Sequence, residues 1–150
     1  MKWTYNGFGE LSGHEVYEML KLRVDVFIVE QNCAYHEVDG HDYDAIHIFC
    51  SDGDEEGLAA YARLLPASVK YLEPSIGRVI IREDKRGTGL AHILMERSVD
   101  FTKKHWKPEK IRLQAQQHLV GFYEKHGFNA ISEPYEDGGI PHVDMILSNV

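Results

Sequence analysis

Gly87 and Gly89 follow the basic pair Lys85-Arg86 and precede an apolar-periodic run that opens at Leu90. Glycine permits positive φ and lets backbone amides come close to a ligand. A helix starting near Gly89 leaves its first N–H groups free, with the positive end of the helix dipole behind them. Amides and cations in that order suit a phosphate or a pyrophosphate. The dinucleotide pattern G-x-G-x-x-G fails where His92 stands, and the Gly-Lys-Ser/Thr of a P-loop is absent. A second group of chemical residue types runs from Cys33 to Asp44, where His36 and His41 alternate with Asp39, Asp42 and Asp44. Zinc or iron takes such ligands, but no H-x-x-x-H and no EF-hand spacing occurs, so a polar loop beside a pocket is expected and no metal.

The elements that must position these residues follow from periodicity. Val79, Ile80 and Ile81 form a continuous β-branched run, which predicts a strand covered on both faces just before the glycine loop. After it, Leu90, Ile93, Leu94 and Phe101 mark the expected buried stripe of a helix. Near the N-terminus, Trp3 to Tyr5 reads as a short strand. Ser12 to Glu15 then reads as a capping box opening a helix to about Glu30 or Asn32, with Val16, Leu20, Val24 and Phe27 as its buried stripe. Ala45 to Cys50 and Leu58 to Leu65 read as an antiparallel hairpin joined by an acidic turn at 51–57. Its second strand puts Tyr61 and Arg63 on one face and Ala60, Ala62 and Leu64 on the other. An arginine in such a strand needs a partner, either an acidic residue or the contents of a cleft. Lys110 to Ala115 is a further strand, and Leu119, Phe122, Tyr123 and His126 lie on a short helix stopped by Gly127. Phe128 to Ser132 and His142 to Leu147 close the chain as strands. The order predicts one α/β domain over residues 1–150 with a mixed sheet.

Composition limits the function. Sixteen Lys and Arg against twenty-four Asp and Glu give a net charge of -8, which argues against nucleic acid as a partner and weakly favours a cationic amine. With no run of eighteen apolar residues and no signal-like N-terminus, a soluble cytoplasmic protein without membrane contact is expected. Cys33 and Cys50 are expected to be free thiols.

Arg86-x-x-Gly89-x-Ala91 resembles the pyrophosphate-binding signature of the GNAT superfamily of acetyl-coenzyme A-dependent N-acetyltransferases. Phe122-Tyr-Glu-Lys-His-Gly-Phe128 resembles its second signature, at the usual separation. Phe27 to Tyr35, Asp39-Gly40, Ala60 to Arg63, Ile76 to Val79, Ala115 to Leu119 and Gly139 to His142 resemble the ElaA-like branch, so the similarity covers nearly the whole chain. It implies a single-domain GNAT fold: a mixed, mostly antiparallel sheet with a central V-shaped splay, flanked by helices.

The resemblance also implies a site. Acetyl-coenzyme A would lie against Arg86, Gly87, Thr88, Gly89, Leu90 and Ala91, with its pantetheine arm along Val79, Ile80 and Ile81 and further contacts to Phe122, Tyr123 and Gln116. Many members carry asparagine where this chain has Gln116. Tyr123 would be the acid for the departing thiolate, since a phenol of pKa about 10 stays protonated at neutral pH. The bland alternative is one more aromatic on a buried helical stripe. Glu30 and His142 lead the candidates for general base, with Asp39 and His47 behind them, and a bound water is an alternative; these four and Arg63 are the expected acceptor-binding residues. The acceptor is an amine on a small molecule or peptide, and a homodimer is compatible with this reading. A coenzyme A-binding sensor or interaction module without turnover is the competing function.

Overall fold

The computed structural model describes residues 1–53, 57–148 and 150, so the middle of the acidic turn read at 51–57 lies outside the described residues. Strands β1 (Lys2–Gly7), β2 (Ile46–Ser51), β3 (Leu58–Leu65) and β4 (Ser75–Ile81) form an antiparallel half-sheet. Strands β5 (Lys110–Gln116), β8 (Ile140–Ser148), β6 (Asn129–Ala130) and β7 (Tyr135–Asp137) form the other half, with both β6 and β7 paired to β8. The halves join where β4 runs parallel to β5, and the register there contains a single pair, Ser75 with Arg112. Beyond Ser75 the strands diverge. This is the expected splay, and it leaves the β5-facing edge of Gly77–Ile81 without a strand partner.

Both faces of β3 are buried, as its alternation predicts. Ala60, Ala62 and Leu64 join Leu90, Leu94 and Met95 of α2 (Leu90–Trp106) and Ile111, Leu113 and Ala115 of β5 in one core. Tyr61 joins Met19, Leu22 and Val26 in a second core, under α1 (Gly13–Val24). Ser12 caps α1 as read from the sequence: its hydroxyl accepts from Glu15 N–H at 3.1 Å, and the Glu15 carboxylate accepts from Ser12 N–H at 2.9 Å.

Two helical stripes differ from expectation. In α1 the deeply buried residues are Met19, Leu22 and Arg23, followed by Val26, while Val16, Leu20, Val24 and Phe27 are only partly buried. The apolar pattern misled because the most buried face includes an arginine, which no hydrophobic count would place there. The helix then widens into a π-type turn over Asp25–Glu30, turning Phe27 and Glu30 toward the sheet opening. In α2, Ile93 is exposed and the buried face runs through Leu90, Leu94, Met95, Ser98 and Thr102. Both hydroxyls are satisfied within the helix, Ser98 donating to Leu94 O at 2.7 Å and Thr102 to Ser98 O at 2.8 Å.

Candidate active site

The glycine loop takes the conformation its sequence demands. Gly87 has φ +75° and Gly89 has φ +84°, and no protein atom lies within 4 Å of where a Cβ would stand on either. Dihedral angle alone therefore requires glycine, and the space above the loop stays open. Gly89 precedes the first turn of α2 and no side chain caps it, so the amides starting that helix face outward unclaimed by a cap. Arg86 Nε donates to Ile81 O at 2.9 Å, tying the loop to the end of β4, and Thr88 Oγ1 donates to Lys85 O at 2.7 Å.

A cleft runs from this loop into the splay, lined by Val79, Ile80, Ile81, Arg86, Ala91, Gln116, Phe122 and Tyr123, with Phe27, Glu30 and Gln31 opposite. Eight of the residues expected on the cofactor side thus share one surface. A second cleft lies on the other side of the opening, lined by Cys33, Tyr35, Arg63, Lys70, Tyr71, Arg78, Gln114, Asp137 and His142 among others. The two share Phe27, Gln31, Val79, Gln116, Leu119 and Tyr123. Tyr123 therefore stands at their junction. Its side chain comes from α3 (Val120–Glu124), and burial alone pushes its phenol up to about 12. Such a phenol is fully protonated at neutral pH. Gln116 also stands at the junction, donating from Nε2 to Gln31 Oε1 at 3.1 Å, so its extra methylene reaches the end of the π-type turn.

The candidate bases separate sharply. His142 lines the second cleft, and its Nδ1 lies 2.7 Å from Ile140 O. A carbonyl only accepts, so Nδ1 donates, and in the neutral ring Nε2 is then the nitrogen that carries the lone pair. Glu30 lies on the cofactor side, held by Arg86 at 2.9 and 3.1 Å. Asp39 and His47 are not among the residues that line either cleft. His47 is 0% exposed between the Tyr61 hydroxyl at 2.6 Å and Asp42 O at 3.0 Å. Its Nε2 donates to that carbonyl and its Nδ1 accepts from Tyr61, so neither nitrogen is free. Burial, with Arg23 and Arg63 nearby, pushes its pKa below the ordinary histidine value.

Arg63 resolves the choice left open by its position in an apolar strand, since it does both things. It is 1% exposed and held by Asp39 at 2.8 and 2.9 Å and Asp42 at 3.2 Å, yet it lines the second cleft. It belongs to a larger network. Arg23 reaches Glu37 at 2.6 Å and Asp42 at 2.7 Å, and Arg78 reaches Glu37 at 2.7 Å and Asp39 at 3.4 Å. The Tyr35 hydroxyl also donates to Glu37. Three guanidinium groups thereby pin the 33–44 loop onto α1 and the sheet, with Glu37, Asp39 and Asp42 as their ion-pair partners. Among the described residues no group of three His, Cys, Asp or Glu is placed to hold a metal.

Arg78 was missed as a site residue. β4 bulges against β3 between Tyr61 and Arg63, and Arg78 takes φ +48° there, a left-handed conformation that costs a side-chain-bearing residue strain. The network holds it, and the guanidinium also stacks 5.6 Å from the Tyr35 ring. Gln31, Tyr35, Lys70, Tyr71 and Asp137 were missed as well. Lys70 and Tyr71 lie on the 66–76 connection, where no periodicity indicates which side chains turn inward.

A mixed sheet splayed beside a glycine-led, uncapped helix defines the GNAT class of protein. The chain belongs to the GNAT acetyltransferase family, whose acetyltransferase (GNAT) domain matches residues 23–149. It is 40% identical to protein ElaA of Escherichia coli over 147 residues, 97% of this chain and 95% of ElaA. It is 37% identical to a UPF0039 protein of Synechocystis over 147 residues, 98% of this chain and 95% of that protein. Its fold matches the crystal structure of an acyl-CoA N-acyltransferase from Pseudomonas aeruginosa with a TM-score of 0.90 at 38% identity, covering 98% of this chain and 99% of the other. The match to crystalline E. coli ElaA has a TM-score of 0.88 at 38% identity and covers 97% of each chain. The ElaA-like resemblance read from the sequence is thereby established.

Proposed function

We propose that the protein is an N-acetyltransferase moving an acetyl group from acetyl-coenzyme A to a primary amine by direct attack within a ternary complex. The observation that carries this reading is the meeting of two clefts at Val79 and Tyr123. One cleft opens at Arg86 and Ala91, the two ends of the glycine loop whose amides suit a diphosphate; the other has room and proton acceptors for an amine. Membership of the GNAT family and the names of the acyl-CoA N-acyltransferase from Pseudomonas aeruginosa and the uncharacterised N-acetyltransferase of Bacillus subtilis support it.

In this mechanism the open edge of β4 at Val79–Ile81 pairs with the pantetheine arm and offers an N–H to the tetrahedral oxyanion. The amine nitrogen, relieved of its ammonium proton by His142 Nε2 or a water beside it, attacks the thioester carbon. A C–N bond forms, the C–S bond breaks, and the thiolate takes the Tyr123 proton. The proton released from the attacking nitrogen returns through water to the phenolate, leaving amide and free thiol. Tyr123→Phe tests this directly: coenzyme A affinity by calorimetry stays the same and kcat falls by about a hundredfold or more. An unchanged kcat removes Tyr123 from the mechanism. A sensor module without turnover would bind coenzyme A and release no thiol with any amine.

A further inference from the structure

The acceptor cleft is lined by more cations than carboxylates although the chain carries a net charge of -8. Arg63, Lys70 and Arg78 line it, with Asp137 as the facing carboxylate. The carboxylates that pair with the two arginines, Glu37, Asp39 and Asp42, do not line the cleft. The guanidinium groups thus line the opening while those carboxylates do not. In a partly desolvated space the charges that line a cleft weigh more on its contents than those one hydrogen bond further away.

Two further details sharpen this. The Arg63 side chain is 99% buried, and its Nε–H has no hydrogen-bond partner among the described residues, so its carboxylates do not fully satisfy it. Lys70 makes no ion pair among the described residues; its ammonium is 5.5 Å from the Tyr71 ring. Its pKa is lowered, first by desolvation and then by Arg78 and Arg63. An ammonium held beside two guanidinium groups is uncomfortable until an anion joins them. Asp39 and Asp137 offset this only in part, and the pKa stays lowered; Gln114 Nε2 holds the Asp137 carboxylate at 2.8 Å.

We infer that the acceptor is a small amine that carries its own anionic group, a carboxylate or a phosphate, which seats against Lys70 and the cleft-facing sides of Arg63 and Arg78 while the amine reaches Tyr123. This inference rests on the acetyl-transfer reading above and names the substrate class for it. It reverses the preference that net charge alone suggests, because binding depends on the groups that line the cleft and not on the sum over the chain.

The test measures thiol release from acetyl-coenzyme A with four acceptors: β-alanine, its neutral carboxamide, O-phosphoethanolamine and spermidine. The inference expects kcat/KM for β-alanine, O-phosphoethanolamine or both to exceed that for the carboxamide and for spermidine by about tenfold or more. Comparing the first with the third tells carboxylate from phosphate. Lys70→Met should reduce the anionic-to-neutral ratio by about tenfold, chiefly through KM. Faster turnover of the carboxamide or spermidine overturns the inference and leaves acetyl transfer intact. So does a ratio that Lys70→Met does not move. Thiol release with none of the four, with coenzyme A still bound in calorimetry, goes against acetyl transfer itself and takes the inference with it.

Discussion

Replacing Glu30 with glutamine separates the two roles that its position allows. Its carboxylate and the Arg86 guanidinium form a bidentate pair at 2.9 and 3.1 Å, with side chains 37% and 42% exposed. An exposed pair of this kind contributes only about 0.5 kcal/mol to stability, so Glu30→Gln should leave the melting temperature within about 2 °C of the parent. Donor binding should respond more. A diphosphate on the amides after Gly87 competes with Glu30 for Arg86 and meets it as a like charge, a repulsion of about 0.8 kcal/mol at roughly 5 Å in water. Removing the charge without removing the side chain therefore tightens coenzyme A binding about three- to tenfold. Calorimetric titration reads this, and the gain should shrink at 0.5 M salt, taken as a round value well above about 0.1 M, as screening sets in. With saturating donor, kcat should stay within about threefold. The opposite pattern, unchanged affinity with kcat down by about a hundredfold, would make Glu30 the base and refute its assignment to the donor side.

Glu37→Gln leaves Arg23, which is fully buried, short of its principal carboxylate, and Arg78 with it. Breaking such a pair costs about 3 kcal/mol, which for a chain of this size lowers the melting temperature by about 6–12 °C in a thermal scan. Acid should act in two stages. His47 has a folded-state pKa below its unfolded value, so its contribution is complete above about pH 6.5 and is lost as pH falls below that. The carboxyl groups of Asp39 and Asp42 are raised by burial but lowered more by Arg63 and Arg23 respectively, so their contribution holds above about pH 4 and is lost as pH falls through their depressed values. Denaturant midpoints taken across that range should show both stages, and His47→Gln should flatten only the upper one. With Tyr123 near pKa 12, turnover should show no loss from phenol ionisation at pH 10, where an unshifted tyrosine would be half ionised. A decline centred there and absent from Tyr123→Phe would contradict the burial.

Local chemistry made much of this protein legible in one dimension. The capping box at Ser12–Glu15, the β-branched run before two glycines and the glycine ending the Tyr123 helix each depend on neighbours a few residues apart, and each formed as its residues dictate. Because the GNAT signatures sit on those elements, the family could be read in advance. The lining of the second cleft could not. It comes from the end of α1, the 33–44 and 66–76 connections, β4, β5 and the β7–β8 turn, segments brought together only by folding. The partners that Arg63 needs could not be named from sequence, because Asp39 and Asp42 are 24 and 21 residues away along the chain. His47 looked like a candidate base because sequence shows a residue's type and cannot show that both ring nitrogens are already engaged. Net charge is a blunt guide for the same reason: it sums every group equally, whereas the field inside a cleft depends on which charges line it.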